Sequence, residues 1–254
     1  MCQALGTVVR YVDCMHFFDL TLPSLEENLA LEEALLLAAE SGQGGEVLRF
    51  WEWPNHAAVL GSGGKLAADV NLTACEAHRI AVARRSSGGG TVLLGPGCLL
   101  YTLVLDYQRH PALGGIASSY QYLLRLVADG LGPLAPGAVF AGTSDLAING
   151  RKFSGNSQQR KQRFMLHHGT LLYDFDLEQA GQYLRMPERQ PQYRAGRSHR
   201  DFMMNLLGTR AQLIDALANV WHACAEPQAW HPAMNYMAQL LAERYSQPAW
   251  VRKR

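Results

Sequence analysis

A chain of 254 residues, 48% of them hydrophobic, is long enough for one large α/β or α+β domain, and its net charge of +1 gives no bulk electrostatic case for nucleic acid or a membrane surface as partner. The five cysteines, Cys2, Cys14, Cys75, Cys98 and Cys224, include no CxxC pair and no metal-type spacing, and no apolar run is long enough to span a bilayer. The expectation is a cytoplasmic protein with reduced thiols. Residues 1–14 carry neither the basic head nor the long apolar run of a secretory signal; they read as an N-terminal tail before a single domain over 15–254.

The first predicted element is a strand over 16–20. Pro23-Ser24 then opens a helix that runs to about Glu40, with Ser24 as N-cap and Glu27 completing a capping box. Short strands follow over 46–51 and 57–60, broken by Gly61-Ser62-Gly63-Gly64. A helix over 71–78 leads to strands over 80–83 and 92–94. Residues 99–105 have little polarity and read as a central strand. An amphipathic helix covers 120–131. Strands over 145–148 and 151–154 meet at Asn149-Gly150, the strongest short hairpin signal. A strand over 164–172 carries His167 and His168; helices over 177–184, 209–223 and 236–245 complete the chain, with an arginine-rich loop over 187–198. No repeat or low-complexity linker interrupts this order. The fold class expected is α+β: a mixed β-sheet core flanked by helices.

Between the strands over 80–83 and 92–94 lies Arg84-Arg85-Ser86-Ser87-Gly88-Gly89-Gly90. Consecutive glycines let backbone approach a ligand closely, and their N–H groups can converge on an anion beside two guanidinium groups. The same stretch also reads as a plain Gly-rich hairpin with a basic flank. It is not a P-loop, because no Gly-Lys-Ser/Thr follows. A second stretch, Asp145 to Gly155, places Lys152 just after the hairpin turn, flanked by Arg151 and by Ser154-Gly155. A compact ammonium there can stabilise charge growing on a carbonyl or phosphate oxygen; otherwise it is a solvated strand lysine. His167 and His168 are adjacent on a strand, so they point to opposite faces and do not share a metal.

Arg-Arg-Ser-Ser-Gly-Gly-Gly at 84–90, Gly-Arg-Lys-x-Ser-Gly at 150–155 and His-His-Gly-Thr-Leu-Leu at 167–172, in this order, resemble the motifs of the lipoate–protein ligase family, within the group that also holds octanoyltransferases and biotin ligases. Residues 28–35 and Leu48 to Trp51 fit as well, and the likeness runs over 15–206. The resemblance implies a biotin/lipoate ligase-like catalytic domain that uses ATP and Mg²⁺ to activate lipoate or octanoate as an acyl-adenylate. The acyl group would then pass to a lysine of a lipoyl carrier protein, either a lipoyl domain or a glycine-cleavage H-like protein. It implies Lys152 as catalytic residue. Arg84, Arg85, Ser87, Gly88, Gly89 and Gly90 would hold the acyl carboxyl end and phosphate, with Ser154 and Gly155 beside Lys152. His168, Gly169 and Thr170 would lie at the nucleotide end, Asp145 near nucleotide and metal, and Trp51 either along the acyl tunnel or in the core.

The sequence departs from the family pattern at Ser62, Gly64, Leu94, Cys98 and Ser144. The accessory C-terminal domain of longer ligases is expected to be missing, which leaves room for a separate accessory subunit. The arginine-rich loop, with Arg194, Arg197 and Arg200, is a candidate surface for an acidic carrier or simply a solvated loop. Three other functions compete: an octanoyl- or lipoyltransferase working through a thioester on Cys98, a biotin ligase relative, and a non-catalytic binding protein.

Overall fold

The computed structural model describes residues 15–253. The expected N-terminal tail lies outside the described residues. Strands are β1 (His16–Asp19), β2 (Val47–Trp51), β3 (Ala57–Leu60), β4 (Ala81–Arg84), β5 (Val92–Leu94), β6 (Cys98–Asp106), β7 (Val139–Ala141), β8 (Asp145–Ile148), β9 (Arg151–Arg160), β10 (Phe164–Leu172) and β11 (Cys224–Ala225). Eight of them form a mixed sheet in the order β11-β1-β2-β6-β10-β9-β8-β7, and the other three form a small sheet β4-β3-β5. Only the β1 pairs with β2 and β11 are parallel in the large sheet. The helices are α1 (Leu25–Glu40), α2 (Leu66–Asp69), α3 (Leu72–Ala77), α4 (Ile116–Leu131), α5 (Leu177–Tyr183), α6 (His199–Phe202), α7 (Arg210–Val220), α8 (Met234–Leu240) and α9 (Pro248–Val251). No helix among the described residues is long and apolar enough to cross a membrane.

The period-two alternation of side chains divides the core into two layers. On β6, Leu99, Tyr101, Leu103 and Leu105 pack with α4 and α7, while Leu100 and Val104 pack with α1 and the small sheet. That is why 99–105 has little polarity: both faces are covered. Helix α1 begins as its sequence dictates, with Glu27 N–H donating to Ser24 Oγ at 3.2 Å and Ser24 N–H donating to Glu27 Oε2 at 2.9 Å. It lies so deep between the sheets that Asn28, Glu32 and Glu33 are buried with its leucines.

The Asn149-Gly150 turn joins β8 and β9, with φ of 49° and 73° at the two residues, the left-handed pair that a two-residue hairpin demands. Strand β9 is longer than the expected 151–154, because the polar run after Gly155 pairs with β10 from Asn156 to Arg160. The helix expected over 236–245 is α8 followed by a π-helical turn, Leu241–Tyr245. Cys75 and Cys98 are free and buried. Cys224, on an exposed edge strand, is disulfide-bonded instead, against the reading of reduced thiols throughout.

Candidate active site

A cavity of about 480 Å³ lies between the small sheet and the α1 side of the large sheet. The glycine turn after β4 forms one wall through Arg85, Gly89 and Gly90. The facing wall comes from Lys152, Ser154 and Gly155 of β9 and His168, Gly169 and Thr170 of β10. Leu29, Val59, Leu100, Leu172 and Phe175 supply an apolar lining. Asp145 and the segment after α5, with Arg185, Arg189, Arg194 and His199, complete the rim. The triple-glycine turn and the hairpin lysine therefore share one hollow.

The two arginines of the turn have different places. Arg84 is fully buried and does not line the cavity. Its guanidinium donates to the carbonyls of Gly61 (2.9 Å), Gly64 (2.7 Å), Trp250 (3.0 Å) and Val251 (2.8 Å). It fastens the turn to the C-terminal segment. Arg85 does line the cavity, yet it donates to Ser87 Oγ and to the carbonyls of Val59, Gly88 and Gly90 at 2.6–3.2 Å. Burial lowers its pKa to about 10, with Glu32 opposing, so it stays charged at neutral pH. Its contribution to a ligand is mainly positive potential, since its donors hold the turn in shape.

Ser87 and Gly88 also sit behind the surface of the cavity. Ser87 Oγ lies 2.6 Å from His168 Nε2, and His168 Nδ1 lies 2.7 Å from Glu32 Oε2. The other oxygen of Glu32 accepts from Trp51 Nε1 at 2.9 Å and Thr102 Oγ1 at 2.7 Å. Burial works to raise the pKa of Glu32, but His168, Arg49 and the hydrogen bonds outweigh it and bring it down to about 2. An ionised carboxylate only accepts, so Nδ1–H of His168 is the donor in that pair. Trp51 is a core residue held by Glu32 and not part of the cavity wall. His167 points to the other face of β10, among Tyr101, Tyr120 and Gln158. Burial, and then His168, lowers its pKa to about 3, which keeps it neutral.

On the hairpin wall, Lys152 Nζ lies 2.7 Å from Asp145 Oδ1, and its side chain is 26% exposed. The hydroxyl of Tyr193 donates to Asp145 Oδ2 at 2.8 Å. Gly155 makes room for the amine: a Cβ there would stand 2.6 Å from Lys152 Nζ. Sequence reasoning gave no role to Tyr193 or His199, and none by number to Glu32. Glu32 could have been suspected, since Glu32-Glu33 interrupts the apolar run from Leu29 to Ala39; Tyr193 lies in the polar loop and His199 just after it, where the sequence gives no local signal.

The lipoyl protein ligase A/B catalytic domain model matches residues 24–219. A probable lipoate-protein ligase A of Mycoplasma genitalium is 35% identical over 173 residues, covering 67% of this chain and 50% of that protein. An octanoyltransferase of Carboxydothermus hydrogenoformans is 31% identical over 184 residues, covering 66% of this chain and 68% of that protein. The solved structure of a lipoate-protein ligase A bound with ATP superposes with a TM-score of 0.79 at 19% identity, covering 94% of this chain and 98% of that one, and so shares the fold. The chain spans about half the length of the ligases it matches in sequence. By the extent of its match, the chain belongs to the lipoyl protein ligase A/B catalytic domain family.

Proposed function

We propose that the chain is a lipoate–protein ligase. It activates lipoate or octanoate with ATP and transfers the acyl group to a lysine of a lipoyl carrier, a lipoyl domain or a glycine-cleavage H-like protein. The observation that carries this reading is the single cavity shared by the glycine turn and Lys152. In the first step a carboxylate oxygen of the acid attacks the α-phosphate of ATP and pyrophosphate leaves. In the second the carrier amine attacks the acyl carbonyl and AMP leaves. Neither step needs an enzyme nucleophile; positioning and electrostatic stabilisation supply the rate.

The apolar lining suits a medium-length acyl chain. Lys152 has three N–H donors and gives one to Asp145, so two remain for the carbonyl and phosphate oxygens of an acyl-adenylate. Mg²⁺ would arrive with the nucleotide. Each oxygen of Asp145 already takes a donor, and the described residues contain no cluster of three or more His, Cys, Asp and Glu that could hold a metal. Asp145 fits as one ligand oxygen beside phosphates and water, the usual mode of Mg²⁺ at a nucleotide.

A thioester route through Cys98 is the second reading, because an octanoyltransferase is among the relatives and Cys98 lines the cavity. Burial, and then Glu52, pushes the Cys98 thiol far above its ordinary range, the opposite of what a nucleophilic thiolate requires. The test is mass spectrometry of a lipoyl domain incubated with the protein, Mg²⁺ and either the free acid or an acyl-carrier thioester, with and without ATP. An acyl mass gain that depends on ATP is expected. Gain only from an acyl-carrier thioester, independent of ATP, overturns the ligase reading.

A further inference from the structure

The transfer step leaves one chemical task without an agent. A carrier lysine reaches the cavity as an ammonium and must lose a proton before it can attack. Most candidate acceptors in the cavity are already engaged. Glu32 takes hydrogen bonds on both oxygens from His168, Trp51 and Thr102. Asp145 is held by Lys152 and Tyr193, and Asp69 accepts from Thr91 Oγ1 at 2.9 Å. His168 has both ring nitrogens occupied.

His199 differs. Its ring lines the same cavity, half-buried, and makes no hydrogen bond among the described residues. It is the first residue of α6, whose N-cap Ser198 accepts from Asp201 N–H. The helix is tied directly to the strand of Lys152: Met203 N–H donates to His199 O at 3.0 Å, and Met204 N–H donates to Lys152 O at 2.9 Å. A bridge between Lys152 and Met203 adds to this tie. The backbone of His199 is thus tied to the strand of Lys152, and the two residues line the same cavity, near enough for the ammonium to act on the imidazole.

We propose that His199 is the general base of the transfer half-reaction, taking a proton from the carrier lysine as it enters the cavity; this rests on the ligase reading above. The charged groups around it are Arg194 on the preceding loop and Lys152 on β9, with Asp145 and Tyr193 behind Lys152. Burial first, then Arg194 and Lys152, lower the His199 pKa to about 4, so its ring is neutral at physiological pH. The same two cations disfavour the incoming ammonium. A bound acyl-adenylate brings a phosphate charge that offsets them, and so strengthens the base only while the intermediate is present.

The step balances as follows. The ammonium gives one proton to His199. The free amine forms the C–N bond to the acyl carbon, and the bond from that carbon to the phosphate oxygen breaks with its electron pair leaving on AMP. The second proton on nitrogen goes to the departing phosphate, which leaves a neutral amide.

The experiment measures the two half-reactions separately in His199→Ala and His199→Gln. One is pyrophosphate release from lipoate, ATP and Mg²⁺. The other is single-turnover transfer from preformed lipoyl-AMP to a lipoyl domain, followed across pH and with added imidazole. The expected result is transfer slowed about a hundredfold or more, with pyrophosphate release little changed. The variants should also lose the acid-range inflection that His199 gives the transfer–pH profile, while the limb set by the carrier amine stays, and imidazole should rescue His199→Ala in part. Equal loss in both half-reactions, or unchanged transfer, overturns the assignment. A wild-type protein that releases no pyrophosphate sinks the ligase reading itself, and that is seen before any variant is made.

Discussion

On the glycine-turn side of the cavity, Arg84 and Arg85 direct their guanidinium donors to backbone carbonyls and Ser87, and His168 is clamped between Ser87 and Glu32. On the hairpin side, Lys152 is partly exposed and touches one carboxylate, while the His199 ring has no hydrogen bond among the described residues. Both sides carry positive charge, but the guanidinium groups of the first are largely taken up by the protein's own acceptors, while the amine of the second meets one carboxylate and the imidazole no acceptor among the described residues. A charge whose hydrogen bonds are mostly made to its own fold shapes the space; a charge with more spare capacity can act on what enters it.

The strongest way to break this contrast is Lys152→Ala. Acyl transfer to a lipoyl domain should fall by at least about a hundredfold. The protein should still fold, because Tyr193 keeps its hydrogen bond to Asp145. Normal turnover in a mass-spectrometric assay would remove Lys152 from the chemistry. Arg84→Met should do the reverse. It strands several buried carbonyls, so chemical denaturation should report a loss of about 2–4 kcal/mol, while turnover per folded molecule drops far less than in Lys152→Ala. Equal stability to the parent would mean the turn is not fastened through this residue.

Acid should act on the fastened wall and on the core behind it. Glu32 has a folded pKa of about 2 against an ordinary 4.5, so its stabilisation is present above about pH 4.5 and lost as pH falls toward 2. His167 is held neutral down to about 3 against an ordinary 6.5, so below 6.5 the unfolded chain binds a proton that the folded one does not. Both signs agree: stability should fall as pH drops from 6.5. Glu32→Gln should flatten the lowest part of that fall in urea melts at stepped pH, and an unchanged slope would refute the pairing. The smallest effect belongs to Cys98→Ala. Transfer should stay near the parent rate, with about 1 kcal/mol of stability lost. Abolished transfer would favour the thioester route instead.

Much of this was legible before any coordinates, where the cause is local. The Ser24–Glu27 cap, the Asn149-Gly150 turn, the doubly covered strand β6 and the opposite orientation of His167 and His168 all follow from spacing and residue type. Lys152 and the glycine turn were readable as motifs, and the fold brings them to one cavity. The roles inside the motif were not. Arg84 and Arg85 look alike in sequence, and what separates them is a set of acceptors elsewhere in the chain, most distantly at Trp250 and Val251. Strand β9 was cut short because Asn156, Ser157, Gln158 and Gln159 give no apolar alternation; their polar side chains find partners across the fold, such as Ser157 Oγ on Gly88 O. Tyr193 sits in a loop, and His199 in a four-residue helix just after it, whose courses only tertiary contacts determine.

The distance along the chain between Arg84 and its acceptors has a consequence for biosynthesis. The carbonyls of Trp250 and Val251 are 166 and 167 residues downstream. On the ribosome the residues before Trp250 can collapse while that guanidinium still lacks these two acceptors, which arrive only with Trp250 and Val251. The glycine turn is thus among the last features to set, so a stalled nascent chain exposes an unlatched loop to chaperones and proteases.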